Sequence, residues 1–179
     1  KQVARAAAFG LGMNVVGVDV ADLDAEQMKK DFGITRIEKS PDGLLSQADF
    51  ISVHLPAIEQ TADFVNADFL SKMKSSAYLI NTARGALVDE IALYTALTEN
   101  KIAGAALDTY KNEPYEPQSP DCDLRTLDNI VMTPHIASST IDAGDAMAGK
   151  VLKNLTGCLN RNFDEMDIIN TDVIEKISK

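Results

Sequence analysis

Basic side chains are scarce in this sequence. Lys and Arg number 17 against 27 Asp and Glu, leaving a formal net charge of -10. Nucleic acids and anionic membrane surfaces are held by clustered Lys and Arg, so this balance argues against both as partners. An anionic small molecule stays possible, because one placed arginine or a helix amino terminus can dominate a pocket. Cysteine is scarcer still. Cys122 and Cys158 are the only two, at a separation that suits neither a metal site nor a redox pair, so no disulfide framework and no metal centre is expected. That usage points to a reducing, cytoplasmic compartment. No apolar run approaches the roughly 18 residues of a membrane span, and no signal or transit segment is recognised at the start.

What is there reads as globular, 45% hydrophobic and 25% charged, in a chain long enough for one domain or one and a fraction. Five apolar runs, MNVVGVDV, FISVHL, AYLINTARG, IAGAALD and NIVMTPH, each stop at a group capable of chemistry: Asp19, His54, the Asn81 to Gly85 turn, Asp108 and His135. Runs of this kind, separated by helical spacing, predict an α/β fold with a Rossmann-type doubly wound parallel sheet. Ligands of such sheets gather in the crevice outside the carboxyl ends of the strands.

Punctuation between the runs supports that reading. The opening KQVARAAAFG has helical spacing with Gly10 or Gly12 as its stop, and no capping residue precedes it. DLDAEQMKKDFG predicts a helix closed by Gly33, and Ser40 with Pro41 opens a short helix through Leu44 and Leu45. Asn66 or Asp68 starts another, and Asp89 caps EIALYTALTEN. Between Tyr110 and Asp128 the pattern fails, and Pro114, Pro117 and Pro120 fall inside it. A long unpatterned loop in a compact domain is more often functional than filler. A helix from about Thr140 to Leu159 follows, with Gly144, Ala148, Val151, Leu152, Leu155 and Leu159 as its apolar stripe. In the acidic tail, Ile168, Ile169, Val173, Ile174 and Ile177 are available for packing.

Several residues can carry chemistry. Asp19 is placed either to accept a hydrogen bond from an adenosine ribose, disfavouring a 2′-phosphate, or to cap the next turn. Arg84, held at a strand end by Gly85, presents a planar fork suited to a carboxylate and an adjacent carbonyl oxygen, or is a surface arginine in a tight turn. His135 can move a proton near neutral pH, and Glu113 on the proline-rich loop is the obvious carboxylate to raise its pKa. Each has a plain structural alternative; their joint occurrence on consecutive strand-end loops favours chemistry. His54 reads as a cofactor-side or structural residue, with Leu55 and Pro56 shaping a wall.

The segments VVGVD, ADFISVHLP followed by Thr61, INTARGALVDE, GAALDTYKNEP and DLRTLDNIVMTPHIASST together resemble the D-isomer-specific 2-hydroxyacid dehydrogenases. The resemblance covers most of residues 1 to 160. It implies that Arg84 holds the substrate carboxylate and polarises the C2 carbonyl, that His135 exchanges the proton, and that Glu113 orients His135. It implies NAD as cofactor, with Asp108 at the nicotinamide carboxamide, Thr82 and Ala83 on the cofactor face and Asp19 on the ribose. His54, Leu55, Pro56, Thr61, Arg84, His135 and Ala137 complete the expected cofactor contacts; residue 137 is Ala where many members have Gly.

The resemblance further implies an oxidoreductase acting on a small 2-hydroxy or 2-keto acid such as 3-phosphoglycerate or glycerate, within a homodimer or tetramer. Residues 1–160 correspond to the NAD-binding domain and 161–179 to a tail returning toward a substrate domain; from about Thr171 nothing matches. A first strand with its glycine turn is expected before Lys1, so the chain alone is expected to bind dinucleotide poorly and to be inactive. A formate dehydrogenase is disfavoured because Gln takes the place of Glu113 there. Two other readings stay open, an NAD(H)-sensing binding protein and an unrelated Rossmann-like fragment.

Overall fold

The computed structural model describes residues 1–170 and Ile174. Residues 171–173 and 175–179, Val173 and Ile177 among them, lie outside the described residues. The chain divides into two compact units, Lys1–Pro134 and His135–Lys179.

The first unit contains six parallel strands: β1 (Val15–Val18), β2 (Ile34–Glu38), β3 (Phe50–Val53), β4 (Tyr78–Asn81), β5 (Gly104–Leu107) and β6 (Ile130–Met132). They form two ladders, a pair β1-β2 and a run β3-β4-β5-β6. The parallel α/β class is as expected, but β2 is an addition. Its sequence ITRIE has only Ile34 and Ile37 as apolar positions, with Thr35 and Arg36 exposed, so it lacks the continuous apolar run that marks a strand buried on both faces.

Helices fill the connections, with the expected caps at Asn66 and Asp89, the expected stop at Gly33 and an additional cap at Asp24. A short helix α1 (Gln2–Arg5) runs into a wider π turn over Ala6–Gly10, and Gly12 takes a positive φ of 66° just beyond it. For α2 (Ala25–Phe32) the Asp24 carboxylate accepts from Gln27 N–H, and Gly33 closes the helix in the left-handed conformation. Asn66 caps α4 (Ala67–Ser71), and Asp89 caps α5 (Glu90–Thr98) through the amides of Ile91 and Ala92. Helix α3 (Asp42–Leu45) starts one residue later than Ser40-Pro41 suggests, because Pro41 is itself the cap. Ser40 Oγ still accepts from Asp42 N–H at 3.3 Å.

The core of this unit lies around β3 to β6. Val65, Leu79, Leu87, Leu93, Ile102 and Leu124 are fully buried there. Strand register sets the site. Val53 pairs with Asn81, Asn81 with Leu107, and Leu107 with Met132. The four strands therefore end in one row, and the residues that follow them emerge along one edge of the sheet.

The longest element among the described residues of the second unit is α6 (Ile141–Leu159), capped by the Thr140 hydroxyl accepting from Ala143 N–H. Gly157 is buried against Met166, while Val151, Leu152, Leu155 and Leu159 are exposed.

Candidate active site

The turn after β4 is built by Asn81. Its side chain is fully buried, its Oδ1 accepts from Ala83 N–H at 3.0 Å and its Nδ2 donates to the Arg84 carbonyl at 2.9 Å. A buried amide satisfied on both sides closes the turn and leaves Arg84 extended, with φ -150° and ψ 142°, and exposed. Arg84 Nη1 donates to the Ala83 carbonyl at 2.6 Å. Gly85 then lies directly on the backbone after β5. A Cβ there would stand 1.9 Å from the carbonyl carbon of Tyr110, so only glycine permits the approach.

The segment after β5 is tied to the same place. Asp108 N–H donates to the Asn81 carbonyl at 3.0 Å, and the Asp108 carboxylate accepts from the Thr133 hydroxyl. Tyr110 is buried, and its hydroxyl lies 3.0 Å from the Leu107 carbonyl and 2.8 Å from that of Thr133. Burial pushes its phenol up, keeping it protonated as a donor across the ends of β5 and β6. Glu113 is exposed, its Oε1 accepts from Tyr110 N–H at 3.1 Å, and its peptide bond to Pro114 is cis. A cavity of about 390 Å³ opens here, with Tyr110, Glu113, Pro114, Tyr115, Met132 and Thr133 among its walls.

Other expected residues lie along the same edge. His54 follows β3, with its Nε2 at 2.9 Å from Ser52 Oγ, and partial burial holds its imidazole below the ordinary value. Leu55 packs against the core, and Thr61 closes the next loop by donating to the Pro56 carbonyl at 2.6 Å and accepting from Ile58 N–H at 3.0 Å. Thr82 and Ala83 sit within the Asn81 turn.

Asp19 stands at the end of the other ladder. It is exposed, and its Oδ1 accepts from Ala21 N–H at 2.9 Å. It therefore does cap the next turn, and that bond engages one of its two oxygens. Lys39, at the end of β2, holds the same loop by donating to the carbonyls of Val20 and Ala21 and to the Asp22 carboxylate. His135 and Ala137 open the second unit, both exposed, and His135 has a positive φ of 54°.

Sequence reading missed the residues that hold these groups rather than the groups themselves: Asn81 as the turn's organiser, Tyr110 and Thr133 as ties between strand ends, and Glu90 and Lys111 beneath the loop. The glutamate after the Asp89 cap was legible only as a favourable first-turn acid.

The family model describing the D-isomer specific 2-hydroxyacid dehydrogenase NAD binding domain matches residues 1–137. The chain belongs to this family. A glyoxylate reductase of Thermofilum pendens is 44% identical over 134 residues, covering 75% of this chain and 38% of that protein. A D-3-phosphoglycerate dehydrogenase of Methanocaldococcus jannaschii is 36% identical over 179 residues, 98% of this chain and 32% of the relative. The crystal structure of the holo form of Rhodotorula graminis D-mandelate dehydrogenase superposes with a TM-score of 0.78 at 30% identity, over 87% of this chain and 44% of that one. The chain thus spans less than half the length of each of these family members. Among the described residues no helix is long and apolar enough to cross a membrane, and no three metal-capable side chains cluster.

Proposed function

We propose that this chain supplies the cofactor half of an NAD-dependent 2-hydroxyacid dehydrogenase, with Arg84, Glu113 and His135 as its catalytic residues. The observation that carries the reading is Gly85. It seats the Arg84 turn on the Tyr110–Lys111 backbone, and the adjoining Tyr110 amide binds Glu113. The carboxylate-binding fork and the candidate partner of the histidine are thereby built on one structure. Arg84 would bind the substrate carboxylate through two parallel N–H donors and draw charge onto the C2 oxygen. His135 would give that oxygen its proton in reduction and take the hydroxyl proton in oxidation. Glu113 would orient the His135 ring for that transfer.

The residues present fit a nicotinamide dinucleotide. The ends of β3 to β6 form one row that carries Thr82, Ala83 and Asp108, and Asp19 carries an exposed carboxylate oxygen at the end of β1 in the other ladder. When bound, the cofactor supplies or accepts the hydride. Related structures include one bound to NADP and one bound to NAD. Asp19, with Asp22 and Asp24 on the same loop, places negative charge where a 2′-phosphate would sit, which favours NAD. His54, Leu55, Pro56, Thr61 and Ala137 would complete the cofactor wall.

We assign residues 1–160 to the cofactor domain and 161–179 to the return toward a substrate domain. Free Cys122 and Cys158 are in keeping with a cytoplasmic protein. The exposed apolar residues of α6 suit a homodimer or tetramer, which light scattering of the full-length protein would test.

The central experiment is turnover of a panel of 2-keto acids by the full-length protein with NADH. Arg84→Ala is expected to lower kcat/KM by at least about 100-fold; unchanged turnover sinks the catalytic assignment. NADH binding without turnover of any 2-keto acid would point instead to a sensor of the same fold.

A further inference from the structure

Beneath the exposed Arg84 turn lies a carboxylate that the proposed chemistry does not use. Glu90, the first residue of α5, is 3% exposed. Its Oε1 accepts from Lys111 N–H at 2.8 Å, while its buried Oε2 has no hydrogen-bond partner among the described residues. An ionisable group in such a place is costly, since removal from water disfavours its charged form. Burial indeed pushes the Glu90 carboxyl up, with the Lys111 amide and ammonium opposing.

The contacts around it form a closed ring. Lys111 Nζ pairs with the Asp63 carboxylate, and Asp63 N–H donates to the Ala86 carbonyl at 2.9 Å. Ala86 belongs to the turn that begins at Gly85, and Gly85 rests on Tyr110 and Lys111. Two carboxylates thus hold consecutive amides from opposite ends of the chain's exposure range: exposed Glu113 takes Tyr110 N–H, and buried Glu90 takes Lys111 N–H. Lys111 N–H belongs to the peptide under Gly85 and Tyr110 N–H to the one before it, so with both bound the backbone beneath the turn is held at two successive peptides.

We infer that Glu90 is a positioning residue for the keto-acid subsite: by fixing the Lys111 amide it sets the height of the Gly85 turn, and with it the Arg84 guanidinium and the Glu113 loop. The inference rests on the proposed roles of Arg84 and Glu113. The Lys111 ammonium pairs with Asp63 and attracts the Glu90 carboxylate that holds the amide of the same residue, so it ties both sides of the ring together.

The test uses the full-length protein and oxamate, an isostere of a 2-keto acid, titrated in the presence of saturating NADH. Glu90→Ala is expected to weaken oxamate by about tenfold and to raise the keto-acid KM by a similar factor, because a displacement well under 1 Å suffices at a bidentate site. NADH affinity should change far less, and Glu90→Gln, which keeps an acceptor for Lys111 N–H, should restore oxamate binding to within about threefold. Lys111→Ala leaves the backbone amide in place but opens the ring at Asp63, and is expected to weaken oxamate by about threefold. It keeps the idea testable if Glu90→Ala does not fold. Unchanged oxamate affinity in a folded Glu90→Ala or in Lys111→Ala overturns the inference. So does a parallel loss of NADH and oxamate binding, which marks a general structural role. Arg84→Ala run alongside separates the two levels: wild-type oxamate affinity there removes the site reading itself, whereas loss there with none in the Glu90 and Lys111 variants removes only the positioning role.

Discussion

Within this chain, which spans less than half the length of its relatives, the two ladders of the first unit are packed to different degrees. Around β1 and β2, Met28 is the only buried apolar side chain before Leu45, and Val3, Phe9, Leu11, Val18 and Val20 are exposed. Around β3 to β6 one continuous cluster runs from Leu45 to Leu124. Polar groups follow the same division. Near β1 they are held by surface contacts, such as Lys39 to Asp22, whereas near β4 and β5 they are buried, as Asn81, Glu90 and Thr109 are. A dinucleotide's adenosine end needs a charge of the right sign at the right edge. A reacting carbon needs its partners fixed to a fraction of an ångström, and only close-packed surroundings supply that.

The largest expected break in this contrast is at glycine. Gly85→Ala drives a methyl into the Tyr110 carbonyl carbon at 1.9 Å, and backbone cannot yield as a side-chain tip can. A loss of at least about 3 kcal/mol, or failure to fold, is expected from denaturant titration. Gly43→Ala in α3 meets nothing within 4 Å and should be neutral or stabilising by up to about 1 kcal/mol. Equal effects at the two sites would erase the contrast.

Truncation in the core comes next. Leu93→Ala at a fully buried position should cost about 2–5 kcal/mol, while Met28→Ala, in a thinner layer with a flexible side chain, should fall at or below the lower end. Urea melts of both variants measure this directly.

How much of this was legible in sequence does not follow the same line. Strands β1 and β3 to β6 and the Asn66 and Asp89 caps are written in local signals, apolar runs and oxygen-bearing side chains before a helical period. Strand β2 was not, because an exposed ladder edge needs no apolar run. Arg84, Glu113 and Asp108 stand out because chemistry needs their residue types. Tyr110 and Glu90 do not, because they hold backbone distant in sequence, and nothing local marks an amide 21 residues away as a partner; Asn81 holds only the neighbouring Ala83 and Arg84 backbone and was legible as the start of its turn.

Titration separates the ion-paired carboxylates from the buried one. Asp22 is held below the ordinary carboxylate value by its hydrogen bond to Lys39, Asp42 by those to Ser40 and Lys72, and Asp123 by that to Arg125. Such groups contribute stability above about pH 3.8 that is lost on acidification. Glu90 is raised by burial, against the pull of Lys111 and with Asp63 and Asp89 adding to the rise. The folded state therefore binds its proton more tightly than the unfolded state. Its contribution is present below the ordinary value of 4.5 and lost as pH climbs through the raised one. Melting temperatures of wild type and Glu90→Gln, followed upward from pH 4.5, should show wild type losing ground to the variant. A constant difference would mean that Glu90 titrates as it does when unfolded.

The smallest expected effect tests the other ladder. If Asp19 works by charge at an exposed edge, its removal should leave stability and keto-acid affinity nearly untouched and act only on cofactor choice. Asp19→Ala loses the cap on Ala21 N–H, but Lys39 still holds the carbonyls of Val20 and Ala21, so the loop keeps its course. The preference of the full-length protein for NADH over NADPH should narrow by about tenfold, roughly 1.4 kcal/mol, read as the ratio of the two kcat/KM values. A fall in both values with the ratio unchanged would make Asp19 a cap and nothing more. Discrimination would then rest on the other charges of that loop, Asp24 or the Asp22–Lys39 pair, and the β1 edge would still depend on charge, but not on that of Asp19.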